Sequence, residues 1–556
     1  METPAWAVRI RRTDGEIAGT GILLSPDRVL TCAHVLGRQE RVSAEFVGAR
    51  GLAVPSVTAW VDGDAYVPET LDADGDPSGD VALLRLEHPR PAHETVRLQR
   101  LSAPNRAVQM YGFPYDHNGG IWFRAGIVGG RGRDGQVQLV PTSPGELASP
   151  GCSGSGVVDS LTGELIGMIL SRMKDRHGNS FSFMSPAETI VRHLPQVARW
   201  TRGRTAVDDR LRSTVDDASE ALLDEPFAQR LADWLRDDGH QVKISLVTTG
   251  DARRAATLRR AITLADRELR VPASVERASL DPPGTVPSAG GHDLAVDATG
   301  LASAEIAERI AERMGLWQRP ADPVAERIRT ADVTLTLVVV GVDEAADPPA
   351  LLDLLEVLRA EGSRLLLVFR TAGAAYRRAR HDLVVKPAEE RRTRLVERLR
   401  RITGPLAKEL HRCLAAVRPE TAQHTDVDLV GANAALADLI RARDITGAGR
   451  GPDLARYERL AERVAGRMTR TIGTLDRLRG RRDELRGRLQ SYHVLHQQSI
   501  RGEEDLAVDA LYLRAHELLQ ARPCDVQAAE AAVDAYTLSV ERSDQQRRSR
   551  EGGFSS

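Results

Sequence analysis

One serine in this sequence lies where its hydroxyl could act as a nucleophile. Ser153 sits in the small-residue turn 151–154, directly before the apolar run 156–158. Glycines on both sides of it allow a tight turn that exposes the hydroxyl and gathers backbone N–H groups in front of it. A hydroxyl at its ordinary pKa is a weak nucleophile, so acyl transfer also needs a base and a carboxylate that orients the base.

Both partners lie upstream of the serine. His34 follows the apolar strand-like run 28–31, and Asp80 directly precedes the run 81–86. Taken alone, a histidine after a strand is more often structural and an aspartate before a strand is more often a turn former. The order His, Asp, Ser, with each residue at a strand edge, favours a catalytic triad. The rival Ser180 is followed by Phe181 rather than by a small residue, and we interpret its segment as a hairpin turn.

The segments around His34, Asp80 and Ser153 resemble the three motifs of the chymotrypsin-like (trypsin-like) serine proteases, in that family's chain order. The resemblance implies a fold of two β-barrels over residues 1–200. It also implies an oxyanion hole formed by the backbone N–H groups of Gly151 and Ser153. It implies no metal and no organic cofactor.

Two departures from the secreted enzymes bear on activation and specificity. Cys152 stands where those enzymes carry the aspartate that pairs with a newly cut amino terminus, and no cleavage site precedes the first strand, so we expect no activation by clipping. Leu147 stands where enzymes that prefer Arg or Lys carry an aspartate. With Leu147 and Ser171 as the expected specificity pocket, we predict a preference for apolar or small residues.

The composition excludes several classes of protein. The chain has 556 residues, 42% of them hydrophobic, and a formal net charge of -2, so no global charge attracts nucleic acid or an anionic membrane. Its four cysteines have no metal-type spacing, and the amino terminus has no secretory signal pattern. The longest apolar run, 335–340, is too short to span a bilayer. We expect a reduced, cytoplasmic protein.

Residues 218–386 alternate between helical and buried-strand patterns, which predicts a parallel α/β sheet. The segment resembles P-loop ATPases, with 340–345 similar to their magnesium-binding acidic segment. The phosphate loop is missing, because 248–257 contains one glycine and no lysine. We interpret the segment as a degenerate fold that serves as a scaffold or sensor; weak nucleotide binding through Arg253 or Arg254 stays open.

The rest of the chain is predicted to be helical, with apolar residues at three- and four-residue steps typical of a coiled coil or helical hairpin. It resembles the helical-repeat tails of actinobacterial signalling and defence proteins, which implies a protein partner. The expected domains are a protease domain 1–200, a linker 201–217, an α/β domain 218–386, a helical connector 387–446, a helical tail 447–546 and a disordered end 547–556.

Together these features predict a cytosolic bacterial serine endopeptidase that acts on a protein substrate, as a regulated effector in an anti-phage or signalling system. We expect residues 218–556 to restrain the segment 1–200. A protease-like scaffold or partner-binding module without catalysis is the alternative, and a nucleotide-driven switch is a third reading.

Overall fold

The computed structural model describes residues 2–418 and 451–552, except for breaks at 38, 52, 72–75, 102, 116, 132–133, 144–149, 175–179, 214–222, 238, 271–280, 318–322 and 500–504. The chain divides into two compact units, Met1–Lys386 and Pro387–Ser556.

The amino-terminal unit begins with a closed six-stranded barrel whose strands are connected in the order β1-β2-β3-β8-β5-β4. The strands of this part of the chain are β1 (Ala7–Arg11), β2 (Ile17–Ser25), β3 (Arg28–Thr31), β4 (Arg41–Glu45), β5 (Ser56–Val67), β6 (Thr70–Leu71), β7 (Pro77–Ser78) and β8 (Val81–Leu86). Antiparallel pairing of β1 with β4 closes the ring. Almost every residue of β2 and β8 is buried, so these strands line the core.

A second barrel follows, in the order β10-β11-β12-β15-β14-β13, and pairing of β13 with β10 closes it. Its strands and their parallel extensions are β9 (Leu98–Gln99), β10 (Ala107–Gly112), β11 (Ile121–Arg131), β12 (Gln136–Pro141), β13 (Gly156–Asp159), β14 (Leu165–Lys174), β15 (Ser180–Pro186) and β16 (Thr201–Arg202). The expected two-barrel fold is confirmed.

Some local expectations for this region were incomplete. Ser180 begins a seven-residue strand rather than sitting in a turn. The expected closing helix 186–200 is divided into α2 (Ala187–His193) and a 3-10 turn (Pro195–Trp200), because Pro195 has no N–H to continue the helix.

The expected linker 201–217 is largely packed structure. Thr201 and Arg202 pair with Leu98 and Gln99, and Val207, which is 1% exposed, bridges to a strand of the α/β domain. Residues 214–217 lie outside the described part. The polar composition of this stretch suggested a linker. Its packing could not be predicted, because the residues that it contacts lie far away in the sequence.

The α/β domain is a four-stranded, fully parallel sheet in the order β17-β20-β19-β18. Its strands are β17 (Val242–Leu246), β18 (Leu294–Asp297), β19 (Thr336–Val340) and β20 (Arg364–Phe369), and its helices are α3 (Glu225–Leu235), α4 (Ala252–Ala265), α5 (Ser303–Met314), α6 (Val324–Arg329), α7 (Pro348–Ala360) and α8 (Ala374–Ala379). Apolar clusters cover both faces of the sheet, as a parallel sheet requires.

Buried ion pairs join the barrels to the α/β domain within this unit. Glu188 on α2 lies 2.7 Å from Arg313 on α5, and both side chains are at most 5% exposed. Arg100 makes a bidentate contact with the Glu268 carboxylate, at 2.7 and 2.9 Å. Removing one partner of such a pair would leave an uncompensated buried charge, which is strongly destabilising.

The second unit is helical, as expected. It contains α9 (Lys386–Ala416), α10 (Gly451–Ser499), α11 (Leu506–Gln520) and α12 (Val526–Gly552), which share one apolar cluster. The expected disordered end 547–556 is wrong for its first part, since α12 continues to Gly552 through good helix formers. Among the helices that the structure describes, none combines the length and the apolar character needed to cross a membrane.

Candidate active site

The structure brings His34 and Asp80 together at one end of the first barrel. His34 lies in the short helix α1 (Ala33–Leu36) after β3, and Asp80 directly precedes β8. Antiparallel pairing of Thr31 with Ala82 places the end of β3 beside the start of β8. The pairing of two strands that are 50 residues apart therefore positions these two side chains.

Asp80 holds His34 at two points. Its Oδ1 accepts a hydrogen bond from the His34 backbone N–H at 3.0 Å, and its Oδ2 lies 2.7 Å from His34 Nδ1. Asp80 is 3% exposed, whereas 41% of the His34 side chain is exposed. Because an ionised carboxylate only accepts, Nδ1 carries the proton and Nε2 is left as the free base.

The same contacts change the acid–base properties of His34. Burial alone would lower the pKa of His34, but the hydrogen bond and the negative charge of Asp80 outweigh it and raise the pKa above its ordinary value. The pair therefore stabilises the imidazolium that forms when His34 takes a proton.

Asp80 adopts an unusual backbone conformation. Its φ is +61°, in the left-handed region, and Gly79 before it has a φ of +84°. A left-handed non-glycine residue costs about 1–3 kcal/mol and persists only when its surroundings hold it. Asp80 is thus a strained residue whose orientation depends on neighbouring contacts.

Two glycines shape the turn that carries Ser153. Gly151 and Gly154 have φ values of +97° and +88°. A Cβ on Gly151 would lie 2.3 Å from the Phe113 carbonyl oxygen, and a Cβ on Gly154 would lie 1.9 Å from that of Thr20. Neither position can carry a side chain without moving backbone, which explains the sequence of the turn.

Thr20 on β2 attaches this turn to the first barrel. Its backbone N–H donates to the Ser153 carbonyl oxygen at 2.8 Å, and its hydroxyl donates to the Gly151 carbonyl oxygen at 2.9 Å. Its own carbonyl oxygen accepts from the Thr31 hydroxyl at 2.7 Å, three residues before His34. The serine turn is therefore tied to the strand that leads into His34. Sequence reasoning missed Thr20, although a polar residue in an otherwise apolar strand was a usable signal.

The sequence predicts that the backbone N–H groups of Gly151 and Ser153 form the oxyanion hole. Within the described part of the chain, the backbone N–H groups of Gly151 and Ser153 donate no internal hydrogen bond. Two such donors in front of a nucleophile suit a developing negative charge on a carbonyl oxygen.

The expected specificity pocket is not tested by this geometry. Leu147 lies outside the described residues. Ser171 lies in β14, and only its backbone is described. Their roles stay predictions.

Cys32 lies behind the histidine. Its Sγ donates to the Ile169 carbonyl oxygen at 3.2 Å and lies within 4.8 Å of ligand atoms of His34 and Asp80. These three residue types could bind a metal ion, but burial, with the charge of Asp80 added, raises the pKa of the Cys32 thiol well above its ordinary value. A thiol with a raised pKa is protonated, in keeping with its role as donor to the Ile169 carbonyl oxygen.

A second group of potential metal ligands lies in the helical unit, formed by Glu409, Cys413 and Asp476. Arg479 lies beside it, 2.8 Å from Asp476. The pKa of Cys413 is raised, first by burial, which also disfavours a thiolate there.

In the α/β domain, the side chains of segment 248–257 contact their own neighbours. The Asp251 carboxylate accepts from the Arg254 N–H at 3.0 Å and so caps the start of α4. Arg253 donates to the Leu223 carbonyl oxygen at 2.8 Å, and Arg254 lies 3.0 Å from Asp224.

The acidic segment at the end of β19 is likewise engaged. Asp343 accepts hydrogen bonds from the backbone N–H groups of Arg370 and Thr371, both at 2.8 Å, and from the Thr371 hydroxyl. Glu344 accepts from the Thr299 hydroxyl at 3.1 Å. Both carboxylates therefore fix loops at this edge of the sheet.

Comparison with known proteins supports the reading of the barrels. Residues 19–168 match the trypsin-like peptidase domain. The chain therefore carries a trypsin-like peptidase domain at its amino terminus and is a serine endopeptidase. Among curated proteins, none matches the chain significantly.

Solved structures that are similar to part of this chain include two bacterial proteases. The protease domain of MamO from Magnetospirillum magneticum, in its apo form, is 15% identical, with 34% of this chain and 96% of that one covered and a TM-score of 0.26. The inactive form of the Rv3671c protease from M. tuberculosis is 23% identical, with 35% of this chain and 90% of that one covered and a TM-score of 0.26.

Proposed function

We propose that the chain cleaves peptide bonds through a triad of Ser153, His34 and Asp80. The observation that carries this proposal is the two-point contact of Asp80 with His34, which leaves Nε2 as the free base. The attachment of the serine turn to β2 through Thr20 supports it.

In the proposed reaction, the Ser153 hydroxyl oxygen attacks the carbonyl carbon of the scissile peptide bond while His34 Nε2 takes the hydroxyl proton. Asp80 holds the imidazolium, and the N–H groups of Gly151 and Ser153 stabilise the oxyanion. His34 then donates the proton to the departing amine and leaves an acyl-enzyme. Water, deprotonated by His34, attacks the acyl carbon and releases Ser153.

A fluorophosphonate probe tests this proposal directly. We expect the purified full chain to be labelled and Ser153→Ala to be neither labelled nor active, a loss on the order of 10⁴-fold or more. Ser155→Ala is the matched control, because Ser155 lies two residues after Ser153, just beyond the turn, and is 1% exposed. Labelling that survives in Ser153→Ala would refute the triad and direct attention to Ser180.

We also propose an apolar or small preference at the primary specificity pocket, on the basis of Leu147. Burying an Arg or Lys head group without a counter-charge costs several kcal/mol. A peptide library tests this, and a profile dominated by cleavage after Arg or Lys would contradict it.

We propose that the α/β domain is a P-loop-like scaffold that does not bind nucleotide. The carboxylate of Asp251 occupies the helix start that a phosphate would need, and it would repel one. The contacts of Arg253 and Arg254 with their own neighbours argue against the alternative of weak binding through these residues.

We further propose a cytoplasmic effector role with a protein partner at the carboxy-terminal helices. None of the four cysteines forms a disulfide in the described structure, which agrees with a reducing compartment. Leu506 and Leu513, seven residues apart on α11, are 77% and 63% exposed and could contact such a partner. The test is co-purification of a cellular partner by the full chain and its loss in a Leu506→Glu, Leu513→Glu variant.

A further inference from the structure

A buried polar network begins directly beside the proposed catalytic aspartate. Asp134, in the turn between β11 and β12, accepts a hydrogen bond from the Ser78 hydroxyl at 2.8 Å and from the Gly79 backbone N–H at 3.3 Å. These are the two residues that precede Asp80. The carboxylate of Asp134 therefore fixes the loop that gives Asp80 its left-handed backbone.

Asp134 is itself held by α2. The Arg192 guanidinium contacts its carboxylate and donates to its carbonyl oxygen at 2.8 Å, and His193 Nε2 lies 3.0 Å from its Oδ1. The side chains of Asp134 and Arg192 are 7% and 4% exposed. Burial alone would raise the pKa of Asp134, but the hydrogen bond from His193 and the charge of Arg192 outweigh it and lower the pKa. The carboxylate thus stays ionised.

The network continues into the α/β domain through Arg267. Arg192 Nη1 donates to the Arg267 carbonyl oxygen at 3.2 Å, and Arg267 Nε donates to the Gly135 carbonyl oxygen at 3.3 Å. The two arginines therefore brace Asp134 and its neighbour Gly135 from two sides. A Cβ on Gly135 would lie 3.1 Å from Arg267 Cγ, so the contact is close.

We infer that Asp134 is a positioning residue for Asp80, and that the docked α/β domain holds Asp134 in place through Arg267 and Arg192. The inference rests on the proposed triad. A strained Asp80 needs an external hold, and the network supplies one at both preceding residues. The α/β domain thereby promotes the active geometry, which is opposite in sign to the restraint expected from the sequence.

Asp134→Asn in the full chain is the first test. The amide keeps the side chain's shape but loses the charge that pairs with Arg192. We expect kcat to fall about 10- to 100-fold, as for a small displacement of a catalytic group, with little change in KM. We also expect the acid limb of the pH profile of kcat/KM to move to lower pH, because a weaker Asp80 contact lowers the pKa of His34.

Asp159→Asn is the matched control. Asp159 is fully buried and pairs with Arg106 at 3.1 Å, but it contacts neither Asp134 nor the loop before Asp80. We expect it to lower stability while leaving kcat and the acid limb unchanged. If Asp134→Asn leaves both quantities at the parent values, or if Asp159→Asn changes them equally, the positioning role is refuted.

A comparison of Arg267→Ala with Glu268→Gln tests whether the α/β domain holds Asp134 in place through Arg267. Both substitutions remove an interdomain side-chain contact, but only the Arg267 side chain donates to Gly135, the neighbour of Asp134. The bond from Arg192 ends on the Arg267 backbone carbonyl oxygen and is kept in Arg267→Ala. We expect Arg267→Ala to move the acid limb in the same direction as Asp134→Asn, and Glu268→Gln to leave it in place. If Arg267→Ala and Glu268→Gln move the acid limb equally, the α/β domain does not act through Arg267, and the inference that it holds Asp134 in place is refuted.

Two further measurements keep the inference separate from the proposed function. Ser78→Ala removes only one contact to Asp134, so it gives the same shift in weaker form if Asp134→Asn does not fold. The low-field proton resonance of His34 Nδ1–H, identified by its loss in His34→Ala, reports the contact with Asp80 without activity. If the parent protein is not labelled but shows this resonance, and Asp134→Asn loses it, the proposed function is refuted and the positioning role is supported. If the resonance is unchanged in Asp134→Asn, the positioning role is refuted.

Discussion

Thr20→Val isolates the attachment between the barrels with almost no change in shape. The Thr20 hydroxyl donates to the Gly151 carbonyl oxygen at 2.9 Å and accepts from the Phe113 N–H at 3.2 Å, and Thr20 is fully buried. Valine leaves both backbone groups buried without a partner. Each unpaired group costs about 1–3 kcal/mol, so we expect a loss of about 2–6 kcal/mol in the free energy of unfolding.

The assay must report on the barrels alone, because a chain of several domains does not unfold in two states. Fluorophosphonate labelling after incubation in urea does so, since only a folded active site is labelled. With an m-value of about 2 kcal/mol/M, a loss of about 3 kcal/mol moves the midpoint by about 1.5 M.

Thr20→Ser is the matched control, because it keeps the hydroxyl and loses one methyl group, worth about 0.8 kcal/mol. We expect its midpoint to stay close to that of the parent. Equal midpoints for Thr20→Val and Thr20→Ser would show that the hydroxyl does not hold the serine turn.

Three further predictions concern the site and the α/β domain. Because the pKa of His34 is raised and only neutral imidazole can accept a proton, kcat/KM should rise with pH through a pKa above the ordinary 6.5. In Asp80→Asn, the effect of burial, which lowers the pKa of His34, is no longer opposed by Asp80. The acid limb should therefore move to lower pH, and kcat should fall about 10⁴-fold. Gly154→Ala should abolish labelling, since its Cβ would lie 1.9 Å from a carbonyl oxygen at a φ of +88°; a labelled, stable variant would show that the turn can shift. Millimolar ATP should neither bind in calorimetry nor change turnover, and a micromolar Kd would contradict the role given to Asp251.

The sequence was sufficient to predict the two barrels and to nominate His34, Asp80 and Ser153. It was sufficient because each of those residues follows or precedes a strand whose apolar pattern is local. The strand β4 (Arg41–Glu45) was not predicted, although Val42 and Ala44 alternate with polar residues as in a half-buried strand, because two small apolar residues are a weak signal in so short a segment.

The contacts that hold the site could not be predicted in the same way. Asp134 meets Gly79 across 55 residues and Arg267 meets Gly135 across 132. Charged residues such as Arg313, which is 6% exposed, look like solvent-facing positions in a helical pattern. Their partners lie on other domains, so neither periodicity nor spacing could reveal them.

The buried pair of Glu188 and Arg313 has a consequence for how this chain can be divided. A fragment that ends near residue 200 would keep Glu188 and discard its only arginine neighbour among the ion pairs described for it. It would also expose Arg192, which in the full chain donates a hydrogen bond to the Arg267 carbonyl oxygen. The shortest recombinant piece expected to be soluble and active therefore ends at Lys386, and the protease cannot be exchanged between proteins without the α/β domain that completes its charge pairing.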